Sequence, residues 1–244
     1  MYSIISAFIA FESYFDNSLK IFKRIFWLIL ALLFLISLYF LSSRSGILAG
    51  LILIPFYFFL KLKQLKKGKF IFPGILLIII FSFPLLLNNQ RVNYLYDQML
   101  NKKTVGENKE EPRIIIWRSA CKIIKANFFV GVGIGDVRNE LAKQYMELGK
   151  TDMADTKFNV HNQFLEVFVE EGIIGFILFI AMISLMIYFA IADKNLLYGV
   201  FIIMILIFFT FETILYRFAG ISFFSLFSFL LLHIDTKKPL LYGK

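Results

Sequence analysis

Six stretches of this chain contain no Asp, Glu, Lys or Arg: approximately residues 25–42, 46–60, 70–87, 172–192, 196–211 and 218–234. Uncharged runs of that length dictate the solvent. A membrane-spanning helix needs about 20 apolar residues, with a range of about 17–25. The second and fifth runs are short and reach that length by borrowing flanking residues. In hydrocarbon every backbone N–H and C=O must find a partner within the protein, which a helix provides by itself. Barrel strands would be about 9–11 residues long with alternating polarity, and these runs do not alternate. The expected fold is therefore all-α: a polytopic membrane helix bundle of about six transmembrane helices. Composition agrees, with 59% apolar residues, 18% charged residues and 31 Phe. That mixture excludes a disordered chain and argues against an ordinary soluble domain. A single Cys, Cys121, leaves no internal disulfide framework and no Cys-built metal site. Met1 to Phe11 carries no basic region of the kind that opens a secretory signal.

Basic residues beside the spans set the orientation. Positions 61–69 hold five Lys and are expected on the cytoplasmic side. Lys20, Lys23 and Arg24 before the first span, Lys194 between the fourth and fifth, and Lys237 and Lys238 after the sixth all agree with six consecutive crossings. The opposite side receives Arg44, the long stretch 88–171, and the link from Glu212 to Arg217. The stretch 88–171 has 12 basic and 12 acidic residues. The net charge of +9 thus comes largely from cytoplasmic anchors, and nucleic-acid binding loses its main support. Three parts follow: N-terminal membrane helices over 1–87, a large extracytoplasmic loop domain over 88–171, and C-terminal membrane helices with a cytoplasmic tail over 172–244.

An outer segment of this size is longer than a connector requires and reads as folded and mostly helical. Pro112 sits at the first turn of an expected helix through Lys125, with apolar positions 116, 117, 120, 123 and 124 at helical spacing. Such a helix can lie on a membrane surface. Gly131-Val132-Gly133-Ile134-Gly135 then leads to Asp136, the expected N-cap of a helix through about Leu148. A glycine-rich turn before a helix can hold a phosphate, but the spacing is not the dinucleotide pattern. A tight turn is the preferred reading.

His161 is expected on a helix just above the outer face, beside Asn159, Asn162 and Gln163. A lone His is more often structural than catalytic; the polar patch at a membrane surface brings the two readings level. Arg44 lies in Ser42-Ser43-Arg44-Ser45-Gly46, where the first two spans meet. Snorkelling to the interface is one explanation. Small neighbours that admit a ligand, and a guanidinium suited to forked phosphate contacts, favour a functional one. Glu166, Glu170 and Glu171 read as a solvated helix face rather than as orienting or sugar-binding groups. Glu212 and Arg217 flank the short outer link, where they are expected to pair. Asp152 and Asp155 are expected to face solvent or cap a turn.

Four features occur in order: Ser43-Arg44-Ser45-Gly46; Arg113-Ile114-Ile115-Ile116-Trp117-Arg118; Asn127-Phe128-Phe129-Val130-Gly131-Val132-Gly133; and His161-Asn162-Gln163-Phe164-Leu165 followed by Gly172-Ile173-Ile174-Gly175. Together they resemble the C-terminal half of the O-antigen ligase and polymerase superfamily, over roughly residues 30–190. The resemblance implies part of a GT-C type fold in the bacterial inner membrane, with residues 88–171 in the periplasm. It implies a polyprenyl-diphosphate-linked glycan as donor and a glycolipid or glycan as acceptor, with no metal or other cofactor. Position by position, it implies that Arg44 and Arg113 hold the donor diphosphate and that His161 is the base on the acceptor hydroxyl. Arg118 and Asn162 belong to the same motifs and are implied as substrate contacts. Family members have about ten to twelve spans, and Met1 to Phe11 reads like the tail of an earlier one.

The expected reaction is glycosyl transfer by a ligase, with a polymerase as the alternative. Fixed guanidiniums at a low-dielectric boundary would stabilise charge on the departing diphosphate. A transporter is a competing class. It would place ionisable or paired helix-breaking residues at mid-membrane, and neither the uncharged spans nor Pro55, Pro73 and Pro84 match that pattern. A non-catalytic subunit of a polysaccharide-export complex is the third class. Oligomeric state is not legible.

Overall fold

The computed structural model describes residues 1–41, 44–64 and 112–234. The third expected span, 70–87, and the tail carrying Lys237 and Lys238 lie outside the described residues. The helices are α1 (Tyr2–Phe15), α2 (Ile21–Leu41), α3 (Arg44–Gln64), α4 (Pro112–Ala126), α5 (Val137–Glu147), α6 (Thr151–Asp155), α7 (Gln163–Ala192), α8 (Leu196–Phe211) and α9 (Phe218–Leu232), with a 3-10 turn at Ile214–Tyr216. There is no strand among the described residues. Each uncharged run that falls in this set is helical. The stretch Ile21–Leu38 and the helix Gln163–Ala192 are long and apolar enough to cross a membrane by themselves, and α3, α8 and α9 are shorter apolar helices. The chain is a helical membrane protein.

Two compact units divide it. One holds α1 to α3 with the first part of α8 and the end of α9; the other holds residues 108–193 and 205–229. In the first unit, α1 packs on α2 and reaches α3 through rings: Phe8 meets Tyr57 at 5.0 Å and Phe11 meets Phe58 at 4.8 Å. Lys61 forms an ion pair with Glu12 at the same end. The Ile21–Leu38 face of α2 is almost wholly unburied, as expected of a helix whose neighbour is lipid.

In the second unit, α4 begins at Pro112, whose missing N–H costs nothing in a first turn. Ile115, Ile116, Ala120 and Ile123 of α4 are buried with Val137, Leu141 and Tyr145 of α5, and with Val160 and Val169. The expected stripe on α4 holds, with Trp117 and Ile124 partly buried at its edge. Asp136 precedes α5 as expected, but its backbone is already helical and its side chain makes no capping bond.

Helix α7 is broken. Gly172 sits at φ 64° and ψ −161°, separating an upper segment, 163–171, from a lower one, 173–192. The break frees backbone groups, and the 128–133 turn takes them up. Val132 N donates to Val169 O and Gly133 N to Glu170 O, both at 2.9 Å; Ile173 N donates to Phe128 O at 2.8 Å. The approach is so close that a Cβ at Gly172 would lie 2.5 Å from the Phe129 carbonyl, and one at Gly131 would collide with the Glu170 carbonyl oxygen. The glycine turn is therefore structural, the backbone partner of a helix break. Two of the four sequence features that carried the family resemblance meet here.

Candidate functional site

His161 does not lie on a helix. It occupies the turn before α7 with φ 51°, a left-handed backbone that an L-residue adopts at a cost. The reason is local: Asn162 takes the N-cap, and its side-chain oxygen accepts from Phe164 N at 3.0 Å and Leu165 N at 3.1 Å. That oxygen starts the helix at Gln163, two residues after His161.

Five hydrogen bonds fasten the turn. Trp117 Nε1 donates to Val160 O at 3.1 Å. Val160 N donates to the Glu166 carboxylate at 3.4 Å. Asn159 Nδ2 donates to Thr213 Oγ1 at 2.8 Å. Gln163 accepts from Leu215 N at 2.8 Å, and Asn162 Nδ2 donates to Thr210 O at 3.3 Å. Such over-determination is what holds a residue in a costly conformation.

The last three contacts reach the segment where α8 ends and the 3-10 turn begins, and that segment brings Glu212. Its carboxylate lies 3.8 Å from Nδ1 of His161. Glu212 is held below its ordinary carboxylate range, first by His161 and then by the charges of Arg113 and Arg217, against the opposing effect of burial. The Arg113 guanidinium sits 5.8 Å from the centre of the Phe211 ring. His161 and Arg113, far apart in sequence, thus act on one carboxylate. Arg217 of the same link acts on Glu212 as expected, and His161 adds a longer-range partner.

Beneath the turn lies a second carboxyl. Glu166 is 1% exposed, which corrects the expected solvated face. Burial, then the neighbouring Glu170 charge, pushes its pKa up to about 7 against the Val160 N–H and the Arg138 and His161 charges. Burial and the Glu166 charge in turn raise Tyr145. Arg138 stacks over the Tyr216 ring at 4.4 Å. Of the remaining expected contacts, Arg118 has an exposed side chain on α4. Asn162 is occupied by its cap and by Thr210. Arg44 opens α3 in the other compact unit, and its side chain lies outside the described residues.

Sequence reasoning holds Trp117 only as part of a family motif, sets Glu166 on a solvated face and gives Glu212 no role in the site. For Glu212 the available signal was one acidic residue on an outer link otherwise short and apolar.

The arrangement offers a base, a carboxylate behind it and a guanidinium for an anion, next to the start of a membrane helix. No curated protein sequence matches the chain. A family model described as O-Antigen ligase matches residues 29–180, a span that contains Arg44, Arg113, Trp117, His161 and the α7 break. With more than half of its length matched in this way, the chain belongs to the O-antigen ligase family.

Proposed function

We propose that this chain is a ligase that moves a glycan from a polyprenyl-diphosphate carrier onto a hydroxyl of lipid A–core or a related acceptor, at the periplasmic face of the inner membrane. The observation that carries the reading is the His161–Glu212 pair at 3.8 Å, in a family of membrane glycosyltransferase-like ligases and polymerases. Glu212 on Nδ1 favours the tautomer whose Nε2 is free to take a proton. Nε2 of His161 removes the acceptor hydroxyl proton. The acceptor oxygen then bonds the anomeric carbon, and the carbon–oxygen bond to phosphate breaks, its electron pair leaving with the diphosphate. Attack opposite the leaving group inverts the anomeric centre. Charge develops on the departing phosphate, where Arg113 provides a fixed guanidinium. Arg44 and Arg118 keep the substrate-binding roles that the family resemblance implies.

The test is transfer by the full chain, reconstituted in lipid with an undecaprenyl-diphosphate-linked glycan. Substituting His161 by Ala is expected to cost about 10²–10⁴-fold, the usual contribution of a general base. Arg44→Ala and Arg113→Ala are expected to cut transfer as well. Wild-type product with all three variants overturns the proposal. A deletion strain separates the two family activities: long carrier-linked chains accumulate when a ligase is lost, and single repeat units when a polymerase is lost.

A further inference from the structure

The turn that mends α7 exposes three apolar side chains most of all. Phe129, Val130 and Ile134 are 71%, 77% and 80% exposed, although each is apolar. Water is a poor neighbour for such a cluster, and the helix it is tied to indicates a better one.

Below Gly172, residues 173–192 carry no charge and span about 30 Å at about 1.5 Å per residue, the thickness of a hydrocarbon core. Above it, residues 166–171 hold three Glu. The break therefore falls where the chain leaves the hydrocarbon. The 128–133 turn is bonded to the backbone on both sides of that break. A seam of rings runs from it across the break, with Phe128 5.6 Å from Phe168 above and Phe168 stacked 4.9 Å from Phe176 below. Ile174, Ile177 and Leu178, just below, are also exposed. The apolar surface of the turn is thus continuous with that of the membrane helix.

We infer that the Phe128–Ile134 turn is a lipid-contacting element seated in the outer boundary of the bilayer, and that it fixes the height of the His161 turn above the membrane. The upper segment of α7, nine residues from Gln163 to Glu171, stands between the two and amounts to about 13 Å of helix. The inference rests on the membrane reading of the chain and not on the proposed glycosyl transfer, so either can fail without the other.

The experiment uses the full chain in nanodiscs of phosphatidylethanolamine and phosphatidylglycerol. In a Cys121→Ser background, a nitroxide label is placed by Val130→Cys or Ile134→Cys. Ile177→Cys provides the lipid reference and Lys150→Cys the water reference. Labels at 130 and 134 are expected to collide with oxygen several-fold more than with a water-soluble nickel complex, as at 177. Behaviour like that at 150 overturns the inference, and so does shielding from both reagents, which would mean that protein covers the turn. The unsubstituted chain supplies a second measurement that needs no folded variant. A lipid with a photoreactive acyl chain should label the tryptic peptide Ala126–Arg138. Labelling of the membrane helices without that peptide overturns the inference equally.

Discussion

The indole of Trp117 reaches out of α4 to donate to the backbone carbonyl of Val160 at 3.1 Å, so the helix that presents Arg113 also holds the turn that presents His161. Trp117→Phe keeps the ring and removes the donor. It leaves a buried carbonyl short of a partner and is expected to cost about 1 kcal/mol of stability. Transfer should fall several-fold more than the folded fraction does, because the base is no longer held in register. Thermal unfolding in detergent alongside a transfer assay measures both, and equal losses would reduce Trp117 to a packing residue.

Glu212→Gln keeps the shape of the side chain and removes the charge behind His161. Turnover is expected to fall about 10- to 100-fold, less than on loss of the base itself, which is worth about 10²–10⁴-fold. The donor KM should stay within about threefold, since Glu212 is assigned to the base and not to the diphosphate. Steady-state kinetics separates the two parameters. A rise in KM at unchanged turnover would place Glu212 in substrate binding.

At the α7 break, Gly172→Ala forces a left-handed alanine whose Cβ meets the Phe129 carbonyl at 2.5 Å. Gly131→Ala meets the Glu170 carbonyl in the same way. Each is expected to destabilise by about 2–3 kcal/mol from backbone strain and displaced hydrogen bonds. Gly199→Ala in α8, where nothing lies within 4 Å, should leave stability level or raise it by up to about 1 kcal/mol. Melting temperatures of the three variants check the ranking.

Glu166 gives stability a pH dependence of known sign. Its pKa is raised from 4.5 to about 7 in the folded chain, so the folded state binds this proton more tightly than the unfolded state. The group's contribution therefore declines as pH rises from about 4.5 to about 7 and is flat above, a change on the order of 3 kcal/mol. Glu166→Gln still accepts from Val160 N and has no proton to lose. It should match the natural chain near pH 5 and exceed it at pH 8. Melting curves at the two pH values decide the matter; an unchanged difference would mean that Glu166 is hydrated in solution.

Much of this architecture was legible in the order of residues. Uncharged runs become helices because lipid leaves the backbone no other partner, and Pro112 marks a helix start by local chemistry. His161 belongs in a turn and not on the expected helix; Asn162, a strong N-cap residue, is the signal that the helix begins after it. The burial of Glu166 depends on packing against residues distant in sequence, which no local period reveals. Glu212 stayed outside the site for the same reason: its partner is set by how α8 returns to the base of the His161 turn.

The mending of α7 by main-chain atoms has a practical corollary. Peptide groups at 128, 132 and 133 make the tie, and the side chains of Phe129, Val130 and Ile134 have no share in those bonds. Oiliness at this rim can be dialled up or down by mutagenesis while the splint itself stays intact. Depth of immersion and integrity of the helix are separately adjustable, which makes the rim the natural place to retune how far the reaction centre stands from its lipid-borne substrate.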